Sequence, residues 1–97
     1  MTIRWSEAAT AQLLHLDTYW SERNPDADVA SAIIDRVNGL VDSLERYPRL
    51  GRPGRVDGTR ELVVPGTQYI VAYEIDDEVI YILAVLHGAQ RWPRHFS

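Results

Sequence analysis

The stretch YIVAYEIDDEVIYILAVLH, residues 69–87, contains two long runs of apolar and aromatic residues separated by the acidic pair Asp76-Asp77. β-Branched and aromatic residues favour strands, and acidic residues between two such runs favour a turn. The stretch therefore predicts two antiparallel strands, Tyr69–Asp76 and Val79–His87.

A third strand is expected just upstream, at residues 59–64, because Pro65-Gly66 provides a turn into the second. Side chains alternate between the two faces of a strand, so each of the two long strands has two apolar faces. One face would carry the aliphatic set Ile70, Ala72, Ile80, Ile82, Ala84 and Leu86. The other would carry Tyr69, Val71, Tyr73, Ile75, Tyr81, Leu83, Val85 and His87. Because buried tyrosine and histidine need polar partners, we expect the aliphatic set to form the core and the Tyr/His face to stay open.

Two helices are expected before these strands. A short strand at residues 3–5 leads into Ser6, a favourable N-cap, and Glu7 suits the first helical turn. The first helix has an apolar face of Ala9, Leu13, Leu16 and Trp20 and should end near Asn24-Pro25. The second should start at Asp26. Its apolar face is Val29, Ile33, Val37, Leu40, Leu44 and Tyr47, and Pro48 should end it.

These elements predict an α+β fold in which an N-terminal helical hairpin packs on one face of a small antiparallel β-sheet. The sheet should have three or four strands, depending on whether residues 3–5 join it. The length of 97 residues suits a single domain, residues 1–97.

Composition excludes several functions. No cysteine occurs, the three histidines are scattered, and all ten basic residues are arginine, so we expect no metal, no cofactor and no lysine chemistry. No apolar run has the length of a signal peptide or membrane span, which predicts a soluble, cytoplasmic protein without membrane contact.

Net positive charge is confined to two segments of the chain. Residues 46–60 contain five arginines against Asp57 alone, and the tail after the last strand adds Arg91 and Arg94, although the net charge is −4. The residues from 48 to 58 are rich in proline and glycine, which predicts a loop. Such a loop is either a solvated surface or a docking site for phosphates or acidic protein.

The segments GRPGRVDGTREL (51–62), YIVAYEI (69–75) and ILAVLHGAQRWP (82–93), in this order after a helical hairpin, resemble the RelE/ParE superfamily of bacterial toxins. The resemblance covers the whole chain. It implies the toxin of a type II toxin–antitoxin pair, held inactive in a hetero-oligomer by a ParD-like or RelB-like antitoxin.

The superfamily has two activities. RelE-like members cut mRNA on the ribosome with basic residues on the central strands, but this sequence has Glu61, Val63 and Ile70 at those positions. If it is such an endoribonuclease, Arg60 would stabilise the phosphate and His87 would transfer a proton. ParE-like members inhibit DNA gyrase without a catalytic site, and the sequence favours this activity. A member that binds its antitoxin without being toxic is a third possibility.

On the ParE-like interpretation, the residues expected to contact the target are Arg52, Arg55, Tyr73, Arg91 and Trp92. Those expected to contact an amphipathic antitoxin segment are Leu13, Trp20, Tyr69 and Tyr81. Two alternatives remain open. His87 is either a proton-transfer group or a strand-end residue bonded to nearby backbone, and Trp92 either covers the sheet or stacks on a base.

Overall fold

The computed structural model describes residues 1–25 and 28–96. Its elements are β1 (Thr2–Trp5), α1 (Glu7–Arg23), α2 (Val29–Ser43), β2 (Arg52–Pro53), β3 (Arg60–Val63), β4 (Tyr69–Asp76) and β5 (Val79–His87). They form a sheet in the order β1-β5-β4-β3-β2, in which β1 runs parallel to β5 and the other neighbours are antiparallel. The predicted α+β fold is confirmed, and the N-terminal strand belongs to the sheet.

The sheet has five strands, whereas the sequence predicted three or four. Residues 48–58 were expected to be loop throughout, but Arg52 pairs with Glu61 and Pro53 with Arg60 to form the edge strand β2. Proline is tolerated there because an edge strand needs no donor on its outer side. The arginine-rich segment is thereby attached directly to β3.

Helix α1 begins as expected. The Ser6 hydroxyl accepts a hydrogen bond from the Ala9 N–H at 3.0 Å and donates one to the Leu83 carbonyl at 3.1 Å, so the N-cap also ties the helix to β5. At the other end, the Asn24 N–H donates to the Trp20 carbonyl at 2.9 Å. The predicted end near Asn24-Pro25 is therefore confirmed.

Helix α2 ends earlier than expected. It stops at Ser43 and continues as turns through Arg46, and Tyr47 is exposed rather than part of the buried face. The Ser43 hydroxyl donates to the Leu40 carbonyl at 2.6 Å, a local bond that competes with continued helix. The expected start at Asp26 lies outside the described residues.

A β-bulge decides which residues of β5 face the helices. Tyr73 pairs with Ile82, whereas Ala72 pairs with Ala84, so Leu83 is an extra residue without an opposite partner. One extra residue reverses the side to which all later side chains point. The uninterrupted alternation that we expected along β5 is therefore wrong.

The expected assignment of the two sheet faces is wrong for β4 and for the part of β5 after Leu83, whereas Ile80 and Ile82 lie in the core as expected. The helices cover a core that includes Val71, Tyr73, Ile80, Ile82 and Val85, with Tyr69 and Ile75 packed against it. The opposite face carries a small cluster of Ala72, Ala84 and Leu86, covered by Trp92 and Phe96. The tail therefore folds back over the sheet and does not extend outward. Most of the Tyr/His set faces the helices, whereas Tyr81 lies on the opposite face.

The core placement of α1 can be tested with two leucines of one helix. Leu16 is 2% exposed and Leu14 is 63% exposed. Leu16→Ala should lower the free energy of unfolding by about 2–5 kcal/mol, because it leaves a cavity beneath the helix. Leu14→Ala should change it by no more than about 0.5 kcal/mol. Equal losses in urea titrations of the two variants would contradict this packing.

Candidate functional site

Glu61 lies at the centre of a charged cluster on the sheet face turned away from the helices. Its side chain is only 2% exposed, and it pairs with Ala72 of that face. The carboxylate accepts hydrogen bonds from the Arg55 backbone N–H (2.7 Å), from Arg55 Nε and Nη2 (3.0 and 3.2 Å) and from Arg52 Nη2 (3.1 Å). Two guanidinium groups are thus held by one buried acid.

The surroundings of Glu61 also set its protonation state. Burial favours the neutral acid and by itself would raise the pKa of Glu61, but the hydrogen bonds from Arg55 and Arg52 outweigh burial. The pKa of Glu61 is therefore lowered below its ordinary value of 4.5. At neutral pH the group is a carboxylate, which is the form that keeps both arginines in place.

The C-terminal tail joins this cluster through Trp92. The Arg55 guanidinium carbon lies 3.8 Å from the centre of the Trp92 ring, a cation–π contact, and Trp92 Nε1 donates to the His87 carbonyl at 3.3 Å. We call Arg52, Arg55, Glu61 and Trp92 the arginine clamp. Of the residues predicted to contact a target, the structure brings Arg52, Arg55 and Trp92 together, and Arg91 is the exposed neighbour of Trp92.

Tyr73 does not reach this surface. It is fully buried on the helix side of the sheet, so a direct contact with a target is not available to it. Its hydroxyl donates to the Pro48 carbonyl and accepts from the Gly51 N–H, both at 2.8 Å. A Cβ on Gly51 would lie 2.7 Å from Tyr73 Cε1, so only glycine allows this approach. Tyr73 thus holds the start of the arginine-rich segment.

Arg60 and His87, the candidate catalytic pair, lie far apart. Arg60 is opposite Tyr73 and His87 is opposite Tyr69, on the two neighbours of β4. Their backbones are therefore separated by about 14 Å along the strands and by about 10 Å, two strand spacings, across the sheet. Arg60 Nη1 also donates to the Gly51 carbonyl at 2.6 Å. The structure does not bring the two residues to one phosphate.

His87 is bonded to nearby backbone, which is the strand-end role that the sequence allowed beside proton transfer. Its Nδ1 accepts a hydrogen bond from the Ala89 N–H at 3.1 Å. Its ring meets Tyr69 edge to face, with 5.6 Å between ring centres. These contacts define the shape of the chain where β5 passes into the tail.

The second candidate surface is an open groove between the helical hairpin and the end of the sheet. Its volume is about 1050 Å³, and its lining includes His15, Trp20, Ala32, Arg36, Tyr69 and Gln90. Trp20 Nε1 donates to the Tyr69 hydroxyl at 2.9 Å, which fixes both rings in the wall. We call this surface the hairpin groove.

The residues predicted to contact an antitoxin are divided by the fold. Trp20 and Tyr69 line the hairpin groove, and Leu13 packs against the core beneath the helices. Tyr81 lies apart from them, because it pairs with Arg4 and Glu74 on the sheet face away from the helices.

Sequence reasoning missed two features of these surfaces. The sequence shows Glu61 only as an acid where mRNA-cleaving relatives have a basic residue, whereas in the structure Glu61 organises the arginine clamp. A single acid inside an apolar strand pattern, flanked by arginines, was the available signal. Ala32 and Arg36 of the hairpin groove were also missed, since solvent-facing helix positions show no distinctive pattern.

Two further findings concern metals and membranes. Among residues 1–25 and 28–96, no three metal-ligating side chains come together as a potential ion site. Within the same part of the chain, no helix combines the length and apolar character needed to cross a bilayer.

Comparisons with known proteins agree with this architecture. Residues 3–92 match the family model of the ParE toxin of type II toxin–antitoxin system, parDE. The chain is 41% identical over 92 residues to the proposed toxin Y4kP of Sinorhizobium fredii (strain NBRC 101917 / NGR234), a match that covers 95% of this chain and 93% of that protein. A chain of the chromosomal ParDE TA system from P. aeruginosa has the same fold, with a TM-score of 0.80, 20% identity, and coverage of 90% of this chain and 95% of its own.

The anchoring role of Tyr73 can be tested by removing its hydroxyl alone. Tyr73→Phe should lower the free energy of unfolding by about 1–3 kcal/mol, because the Gly51 N–H and the Pro48 carbonyl lose a buried partner. Tyr47→Phe, at an exposed tyrosine, should stay within about 0.5 kcal/mol of the original chain. If Tyr73→Phe is equally neutral in chemical denaturation, its hydroxyl does not anchor the segment.

Proposed function

Because this chain belongs to the ParE toxin family of type II toxin–antitoxin systems, we propose that it arrests growth in the cytoplasm by binding and inhibiting DNA gyrase, with a ParD-like antitoxin holding it inactive. It acts as a protein-binding inhibitor and not as an enzyme. The observation that supports this most strongly is that the Glu61 carboxylate is paired with Arg52 and Arg55.

Glu61 stands where an mRNA-cleaving relative would need a basic residue. Its carboxylate engages both Arg52 and Arg55, so the guanidinium groups nearest the central strands are already paired with a negative charge. Glu61 itself, as a carboxylate, cannot supply the positive charge that RNA cleavage needs at this position of the central strands. This arrangement suits binding of a protein better than cleavage of RNA.

The endoribonuclease alternative requires Arg60 and His87 to act on one phosphodiester. Groups that stabilise the phosphate and transfer the proton must lie within hydrogen-bond reach of the same reacting atoms. A separation of about 14 Å along the strands and about 10 Å across them does not meet that requirement. No contact in the described part of the chain favours the alternative over gyrase binding.

The target-binding surface in this proposal is the arginine clamp together with Arg91. The side chains of Arg52 and Arg55 are 55% and 42% exposed despite their contacts with Glu61, so part of each guanidinium group faces solvent. Exposed arginine beside an aromatic ring is a common composition at the centre of protein interfaces.

The antitoxin occupies the hairpin groove in this proposal. An amphipathic helix places apolar side chains into such a groove at spacings of three and four residues, and the groove offers Trp20 and Tyr69 as apolar walls. This site lies on the helix side of the sheet, whereas the arginine clamp lies on the other side. The two partners therefore bind different faces of the toxin.

The antitoxin site can be tested by filling the groove. Ala32→Arg adds a long side chain to an exposed helical position in the groove lining, so the toxin should stay folded and toxic but lose rescue by its antitoxin. Ser31→Arg, at the neighbouring exposed position outside the lining, is the control and should still be rescued. Growth is measured with toxin and antitoxin induced separately. Full rescue of Ala32→Arg would place the antitoxin elsewhere.

The gyrase proposal can be tested with purified components. The toxin should inhibit supercoiling by gyrase, and Arg91→Ala should inhibit about tenfold less well, because it removes one exposed cation of the surface. Arg23→Ala, on α1, is the matched control and should inhibit like the original chain. Unimpaired supercoiling at saturating toxin, together with an early collapse of methionine incorporation in cells, would contradict gyrase inhibition.

A further inference from the structure

Two segments that are distant in sequence, the arginine-rich segment and the tail, meet at Arg55, which Glu61 holds in place. Glu61 holds the Arg55 backbone and guanidinium group, and the far side of that guanidinium stacks on Trp92 of the tail. Apart from this stacking, Trp92 is held by one long hydrogen bond to the His87 carbonyl and by apolar contacts under its ring. Glu61 thus holds the guanidinium group at which the tail meets the arginine-rich segment.

The hydrogen bonds of Arg55 show why the geometry depends on the acid. Nε and Nη2 both point at Glu61, a forked arrangement that fixes the plane of the guanidinium group as well as its position. That fixed plane lies over the Trp92 ring. Without the carboxylate, Arg55 would rotate freely in solvent and the stacking would be lost, because a flexible side chain pays entropy to hold one geometry.

We propose that Glu61 is a positioning residue that assembles the arginine-rich segment and the tail into one docking surface for a carboxylate-rich protein surface. The acid does not touch the partner itself, since its side chain is 2% exposed. It orients Arg52 and Arg55 and, through the contact of Arg55 with Trp92, fixes the part of the tail that carries the exposed Arg91. This inference rests on the proposed function, because it names the chemistry of the surface on gyrase that the toxin recognises.

Charge complementarity favours acidic protein over nucleic acid as the partner. The arginine clamp is one small positive patch on a chain whose net charge is −4, and long-range attraction of a polyanion such as DNA needs a broadly basic surface. Guanidinium groups that already engage one carboxylate have the planar geometry to accept further carboxylates side by side.

The decisive variant is Glu61→Gln, which keeps size and shape but removes the charge. Its affinity for purified gyrase should fall at least about tenfold, the effect of losing roughly one oriented charge-assisted contact. Affinity for the antitoxin should stay unchanged, because the hairpin groove lies across the sheet. Glu78→Gln, an exposed acid in the turn between β4 and β5, removes the same charge and should leave both affinities unchanged.

A spectroscopic readout separates positioning from general destabilisation. With fluorine-labelled tryptophan, the chain gives three resonances, and a Trp92→Leu variant identifies that of Trp92. In Glu61→Gln, the Trp92 resonance should move towards that of a free peptide of residues 85–97, while those of Trp5 and Trp20 stay in place. Movement of all three would mean that the fold is disturbed, and would overturn the positioning role.

The double variant keeps the proposal falsifiable even if Glu61→Gln is less stable. Glu61 and Trp92 both hold Arg55 in this proposal, so Glu61→Gln combined with Trp92→Leu should lose clearly less gyrase affinity than the sum of the two single losses. Fully additive losses would overturn it, as would a Glu61→Gln variant that binds gyrase normally.

Failure of the proposed function gives a different pattern. An original chain that does not bind gyrase at all would refute gyrase inhibition itself. The original chain and Glu61→Gln are also tested for binding to a labelled DNA duplex. If the original chain binds the duplex and Glu61→Gln does not, the surface recognises nucleic acid, and the acidic-protein partner is overturned.

Discussion

A carboxylate buried in a sheet face must be paired, because an isolated charge of that kind costs several kcal/mol to remove from water. Glu61 meets this constraint with two arginines from the segment that precedes β3, and Arg55 in turn stacks on the tail. One interaction therefore fixes the edge of the sheet, the arginine-rich segment and the chain terminus relative to one another. Losing both arginines would leave a buried charge uncompensated, which ties the arginine-rich segment to β3.

The two faces of the sheet are covered by different parts of the chain. The helices cover one face and leave the hairpin groove beside Trp20 and Tyr69. The tail covers the other face, where Trp92 and Phe96 shield a small apolar cluster and the arginines face solvent. In the proposed function the antitoxin binds one of these faces and the target the other, so one partner can be lost without the other.

The sequence predicted the elements better than their orientation. Turn residues and apolar periodicity defined β4, β5 and the cap at Ser6, because these signals are local. The bulge at Leu83 could not be read, since it arises from the register with β4, and it reversed the expected faces of the β5 residues that follow it. Tyr73 was expected to be open because its hydroxyl needs a partner, but the partners came from Pro48 and Gly51, whose proximity only the folded chain reveals. The same holds for Glu61 and Trp92, which lie far apart in sequence.

The most direct test is an NMR titration that follows the Glu61 side-chain carboxyl carbon and the Trp92 indole N–H together. A lowered pKa means that the stabilisation from Glu61 is fully present above its ordinary value of 4.5 and is lost as pH falls through the folded-state pKa. The account predicts that Glu61 titrates below 4.5 and that the Trp92 signal shifts along the same curve. A carboxyl that titrates at or above 4.5, or a Trp92 signal that does not respond, would contradict the link between the buried acid and the tail.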